Sequence, residues 1–248
     1  MSELGLIVYC GTVPSTQDLA REVLQSPPVQ IRAVVAEHQT AGRGRWGNRW
    51  LSAPGESLLM TILLPLRDAE SEKAHELAFV LALAVRDTLL AQAELAVQFK
   101  WSNDVLVEGR KLAGILIETA ADARQQMWAL AGVGVNLLQS DFPQEIQATA
   151  TSVYLETGRR LPIEPLAQQL LRSVDNWVQV WRREGFSKVL ADWQQADATA
   201  GHRYRLPSGE IGVAQGIDPQ GNLLLEVRGQ LLVVPSAEPV RGLYAPKG

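Results

Sequence analysis

The chain has 248 residues, 46% hydrophobic and 20% charged, which is apolar material for one sizeable core with length left for a second small module. A formal charge of −4 and a pI near 5.5 exclude a surface that is basic overall, so anion binding has to be local. A single cysteine, Cys10, excludes an intramolecular disulfide framework; no apolar run reaches the ~18–20 residues that span a bilayer, and no basic leader opens the chain. These features predict a soluble cytoplasmic protein without a membrane partner, with Cys10 as a buried small hydrophobe.

In chain order, residues 5–9 read as a short strand. Ser15 or Thr16 caps a helix through residues 18–24 that stops before Pro27-Pro28. The β-branched run 31–36 reads as a strand leading into a loop, and 58–64 as the next strand. Leu77, Val80, Leu81, Ala84 and Val85 follow helical spacing, which predicts a helix over 74–93 with one buried face. Three apolar strand-like runs follow, 97–101 with 105–107, then 112–118 and 127–135, with Gly109 turning between the first two. Helices are predicted over 165–183 and 186–195, with Trp177 and Trp181 as core anchors. From Gly201 helical periodicity vanishes. Turn signals recur at Pro207-Ser208-Gly209, Asp218-Pro219-Gln220-Gly221-Asn222 and Gly229, and short alternating runs between them, with a compact apolar strand at 231–234, predict a small β-barrel. The boundary falls near residues 197–201, dividing the chain into 1–198 and 199–248.

Four segments are candidates for chemistry. Residues 42–50, Gly42-Arg43-Gly44-Arg45-Trp46-Gly47-Asn48-Arg49-Trp50, hold three glycines, three arginines and two tryptophans, with no Asp or Glu between Glu37 and Glu56. Glycine permits close backbone approach, arginine matches phosphate or carboxylate oxygens, and tryptophan offers a face to a ring. Such a loop suits an anionic ligand that carries a ring; alone it reads equally as a solvated basic loop. Lys100-Trp101-Ser102-Asn103-Asp104 sets a cation, a ring, an amide and a carboxylate between strand flanks, where Asn-Asp otherwise makes a turn. Arg110-Lys111 opens a buried run containing Gly114, which leaves room for something to lie against the strand. Gly132-Val133-Gly134-Val135-Asn136 ends a strand. None fits a dinucleotide fingerprint, and no Gly-x-Ser-x-Gly elbow or Walker-type loop is present. His38, His75 and His202 are scattered, so no zinc spacing arises.

Taken together and in this order, the four segments resemble the motifs of biotin–protein ligases: a Gly-Arg-Gly-Arg-x-Gly loop, then Lys-Trp-Pro-Asn-Asp, Lys-Leu-x-Gly-Ile-Leu-x-Glu and Gly-x-Gly-x-Asn. The resemblance runs from Ser15 nearly to the C-terminus. It implies an α+β fold: a mixed β-sheet flanked by helices, related to class II aminoacyl-tRNA synthetases, followed by a small SH3-like β-barrel. It also implies the monofunctional type without a DNA-binding domain, since Ser15-Thr16 already matches the start of the catalytic region.

The implied reaction is ATP-dependent. Biotin is activated to biotinyl-5'-AMP and transferred to a lysine of a biotin carboxyl carrier protein, with ATP and biotin as substrates and Mg²⁺ as the metal. By motif match, Ser15, Thr16 and Gln39 hold the polar end of biotin. Arg43, Gly44 and Arg45 form a loop closing over the adenylate, Gly114 lines the apolar slot, and Lys111 is the main electrostatic catalyst together with Arg45. On the nucleotide side, Trp50 stacks on adenine; Asn103 and Asn136 with Arg43, Arg45 and Arg241 complete the ATP site, and Asp104 is the metal ligand. Departures from the pattern are Gln17 where the family usually has Asn, Ser102 where it usually has Pro, and Ala237 in the tail motif. Lipoate–protein ligase remains an alternative within the same superfamily, and a nucleic-acid-binding module is a second. Oligomeric state stays open, a homodimer included.

Overall fold

The computed structural model describes residues 6–26, 28–236 and 238–243. The expected start of the first strand at Gly5, the stop signal at Pro27 and the Ala237 departure lie outside these. The strands are β1 (Leu6–Val13), β2 (Ile31–Gln39), β3 (Ser57–Pro65), β4 (Gln98–Lys100), β5 (Asp104–Val107), β6 (Arg110–Ala121), β7 (Met127–Asn136), β8 (Arg203–Arg205), β9 (Ile211–Ile217), β10 (Leu223–Val227), β11 (Gln230–Val234) and β12 (Arg241–Leu243). The helices are α1 (Thr16–Val23), α2 (Leu77–Ala93), α3 (Val153–Thr157), α4 (Ile163–Glu184) and α5 (Phe186–Gln194).

β1 to β7 form one sheet in the order β1-β2-β3-β7-β6-β5-β4. β1 runs parallel to β2 and the other pairings are antiparallel, so the sheet is mixed. Side chains alternate between its faces, and the two faces are covered differently. On one, α1 buries Ala20 and Leu24 against the cross-strand pair Leu63 and Leu130. On the other, Met60, Ile62, Ala131 and Val133 belong to the main core beneath α2, α4 and α5. α2 is apolar nearly all round, the pattern of a helix wrapped on every side. It lies between the sheet and the α4–α5 pair, which explains why Phe79 through Val85 are all buried.

β8 to β12 form a second, antiparallel sheet in the order β11-β10-β9-β8-β12, open among the described residues. It joins the main core through Tyr204, Leu223 and Leu225, and Trp101 donates its indole N–H to the Gly221 carbonyl at 2.8 Å. Trp181 is buried in the core as expected, and Trp177 packs at its edge with its N–H on Asp87.

Several local expectations change. The helix expected over 74–93 begins as a 3-10 turn through Asp68–Glu76 and becomes α-helical only at Leu77. α3 was not legible, being five residues long. Cys10 is only half-buried, on β1 at the edge of the sheet. The 231–234 run is likewise an edge strand, and Leu231 and Val233 stand 58% and 57% exposed. No helix among the described residues is long and apolar enough to cross a membrane.

Candidate active site

The sheet face that carries α1 continues past the helix N-terminus into a cavity of about 270 Å³. Its floor is set by glycines facing each other across β6 and β7, where Gly114 pairs with Gly134. A Cβ on Gly134 would lie 2.7 Å from the Trp50 indole, and one on Gly132 would lie 2.9 Å from the Gln17 amide nitrogen. Any larger residue at either place would push these side chains off the sheet.

At one end Ser15 caps α1, its hydroxyl oxygen accepting the Gln17 backbone N–H at 3.2 Å. Gln39, at the end of β2, accepts from the Thr16 backbone N–H at 2.7 Å and from the Thr16 hydroxyl at 3.1 Å. Thr61 on β3 donates to Thr16 at 2.8 Å, so the helix start is pinned to the sheet from two strands.

At the other end the cations gather. Lys111 reaches this face because β6 carries a bulge. Val105 pairs with Ala113 and Leu106 with Lys111, which leaves Leu112 as an extra residue. Leu112 and Ala113 therefore both enter the core, while Lys111 emerges beside Gly114, its Nζ 3.2 Å from where a Gly114 Cβ would stand. Lys111 pairs with Asp104 at 2.5 Å and lies 5.9 Å from the Trp50 ring centroid. Behind it Lys100 is 1% exposed. Burial pushes its pKa down to about 8, the like charge of Lys111 adds to that, and Asp104 opposes both.

Arg45 closes the roof. Its guanidinium donates to Ser102 Oγ at 2.5 Å, to Asn103 Oδ1 at 3.4 Å and to the Ser236 carbonyl. Burial lowers its pKa, with Asp104 and Tyr204 acting the other way. Asn103 is fastened to β6 by donating to the Ile115 carbonyl at 2.9 Å. The Gly/Arg loop is itself tied back: the backbones of Arg43 and Arg49 form a β-bridge across it, and the Trp50 backbone N–H donates to the Gly42 carbonyl at 3.0 Å.

Of the residues expected here, Ser15, Thr16, Gln39, Arg43, Gly44, Arg45, Trp50, Asn103, Asp104, Lys111, Gly114 and Arg241 line this one cavity. Arg43 sits at its rim, paired with Asp18 at 2.8 Å and Glu118 at 3.7 Å. Asn136 is not brought to the lining; it is buried and donates to the Thr151 carbonyl at 2.9 Å. Three contributors were not anticipated in these roles. Gln17 lines the cavity, Ser102 accepts from Arg45, and Tyr204 of the second sheet closes the wall, its hydroxyl on the Trp101 carbonyl at 3.0 Å. Gln17 and Ser102 were visible as departures from the resembled motifs; nothing local marked Tyr204.

The biotin/lipoate A/B protein ligase family matches residues 9–136. A biotin–[acetyl-CoA-carboxylase] ligase of Mycobacterium tuberculosis is 34% identical over 243 residues, covering 95% of this chain and 88% of that protein. The bifunctional ligase/repressor BirA of Bacillus subtilis is 30% identical over 237 residues, covering 94% and 73%. Among solved structures, the biotin protein ligase from Aquifex aeolicus in complex with biotin and ATP superposes with a TM-score of 0.81 at 25% identity, covering 96% of this chain and 99% of that one. With its motifs gathered around one cavity and its relatives alike over nearly its whole length, the chain belongs to the biotin/lipoate A/B protein ligase family.

Proposed function

We propose that the protein is a biotin–protein ligase that forms biotinyl-5'-AMP from biotin and ATP, then passes biotin to a lysine of a carboxyl carrier domain. The carrying observation is the polarity of a single cavity: hydroxyls and amides of Ser15, Thr16 and Gln39 at one end, Arg45 and Lys111 at the other, glycines between. A bicyclic urea with an acid tail fits that order, and so do its similarities to a carboxylase ligase and to a structure holding biotin and ATP.

In the first step a carboxylate oxygen attacks the α-phosphorus and pyrophosphate leaves; in the second a lysine amine attacks the acyl carbon and AMP leaves. Neither step needs an enzyme nucleophile, so positioning and fixed positive charge do the work. Lys111 holds the junction of carboxylate and α-phosphate, and its ion pair with Asp104 aims its ammonium there. Arg45, drawn from the loop and fastened to two other segments, shields the mixed anhydride from water. Trp50, lying on Gly134, gives adenine a face, and Arg241 reaches in from β12.

Among the described residues no group of three or more His, Cys, Asp or Glu side chains could cage a metal. A magnesium ion that keeps its waters and takes phosphate oxygens needs only one carboxylate, and Asp104 fits that part. Such an ion would neutralise charge on the triphosphate, and Asp104 is the residue that would hold it. One cysteine and an ATP-dependent reaction fit a cytoplasmic setting.

The test is pyrophosphate release with ATP, Mg²⁺ and either biotin or lipoate, followed by transfer of label to a carrier domain. Biotin-dependent release and labelling of one lysine are expected. Release with lipoate alone would overturn the reading.

A further inference from the structure

The strand that carries the reactive lysine loses a neighbour just where the lysine stands. β7 ends at Asn136 and pairs with β6 from Ala113 onward, so Lys111 lies beyond its reach. Residues 149–151 take the place of β7 there, with a parallel bridge between Lys111 and Ala150. The Lys111 backbone N–H donates to the Thr149 carbonyl at 2.7 Å, and the Lys111 carbonyl accepts the Thr151 N–H at 2.9 Å. Asn136 ties this segment to the end of β7, its side-chain amide donating to the Thr151 carbonyl at 2.9 Å. On this side the main chain of the lysine therefore hangs on an irregular segment and not on a strand.

That segment is fixed in turn by α3. Ser152 caps the helix, its hydroxyl oxygen accepting the Leu155 N–H at 3.1 Å. A helix of five residues does not stand by itself, so its contacts must hold it. Glu156, one turn in, accepts on Oε1 from the Thr151 hydroxyl and from the Arg110 guanidinium, the latter at 2.8 Å. Arg110 precedes Lys111, and Thr151 holds the Lys111 carbonyl, so one carboxylate oxygen grips the chain on both sides of the lysine. The Glu156 side chain is 11% exposed, which spares it most of the screening that an open ion pair suffers. Glu156 itself does not line the cavity. We infer that Glu156 is a positioning residue for adenylation, holding the Lys111 main chain where its ammonium meets the reacting carboxylate and phosphate. The inference rests on the biotin ligase reading and on the part Lys111 takes in it. A misplacement of about 1 Å, caused by a change away from the chemistry, can cost about 10²-fold in rate.

The test is a double-mutant cycle, read as kcat and KM for pyrophosphate release, with Glu156→Ala placed in the wild-type chain and in Lys111→Ala. In the wild-type background kcat is expected to fall about 10–30-fold, with the KM values for biotin and ATP within about threefold. In the Lys111→Ala background the same substitution should lower kcat by less than about twofold, because no ammonium is left to aim. A defect of structure alone would cost the same in both backgrounds, so equal losses overturn the inference. An unchanged kcat in the wild-type background, with or without a raised KM, overturns it too. If Glu156→Ala does not fold, Glu156→Gln decides. It keeps an acceptor for Thr151 and gives up the charge that grips Arg110, so a loss of about three- to fivefold is expected, again confined to the chain that has Lys111. No loss, or the same loss in both backgrounds, overturns the inference. No biotin-dependent release from the wild type would instead remove the ligase reading, and the inference with it.

Discussion

Three segments far apart in sequence meet on the guanidinium of Arg45: its own loop, the β4–β5 turn through Ser102 and Asn103, and the tail through Ser236. Loss of that side chain should leave adenylation running and let the intermediate escape. For Arg45→Gly, the ratio of free to retained biotinyl-adenylate after one turnover should rise well above wild type, and tight retention would contradict the shielding role. Ser102→Pro removes the hydroxyl acceptor while keeping Arg45, and a milder escape, about tenfold over wild type, is expected in the same assay, the scale of one hydrogen bond to a charged group. Lys111 acts differently. Lys111→Ala should fold normally and slow pyrophosphate release by ~10²–10³-fold, the effect of losing one preorganised charge-stabilising donor. Near-normal turnover would place the junction charge on another group.

At the scale of elements, α1 matters through its first turn. Ser15→Ala removes the cap and with it one end of the cavity wall, so a loss of about 0.5–2 kcal/mol in urea denaturation is expected together with a higher KM for biotin. A variant with unchanged stability would mean the Thr16–Gln39 and Thr16–Thr61 contacts hold the helix start unaided. These elements were largely legible in the chain. β3 and β7 read as apolar runs because both of their faces are covered, and α4 reads at helical spacing because only one of its faces is buried. β11 was legible as a strand but not in its exposure: a compact apolar run says that a strand pairs, not that its sides are covered. The cavity residues were legible through the order of four motifs. Gln17's place under β7, Ser102's hold on Arg45 and Tyr204 in the wall were not, because each contact joins residues about a hundred or more positions from its neighbours there, or 57 in the case of Ser102 and Arg45. Pattern within a window cannot reach that far.

Across the whole molecule, Lys100 sits where the two sheets meet, its Nζ 5.5 Å from the Tyr204 ring centroid and close against Gly242 of β12. Its folded pKa of about 8 lies below the ordinary value of 10.5. Between those two pH values the unfolded chain binds the extra proton, so the contribution of this group to stability rises with pH from about 8 towards 10.5. Below pH 8 the full cost of enclosing the charge is present. Lys100→Met should thus raise stability at pH 7 by about 1–3 kcal/mol and flatten the rise between pH 8 and 10, read from urea midpoints across that range. A steeper rise in the variant would contradict the assignment.

The bulge at Leu112 has a consequence of its own. Strand geometry offers only two sides, and Lys111 stands three residues before Gly114, so the reactive ammonium shares the substrates' side only because the bulge absorbs Leu112. Excising that lone leucine would restore plain alternation with Lys111 still beside Gly114, so such a deletant should keep its turnover. Inserting one residue opposite the bulge, between Val105 and Leu106, would instead iron it out and turn Lys111 inward among hydrocarbon, leaving a chemically complete but catalytically silent chain, a defect of parity that no inventory of its side chains would reveal.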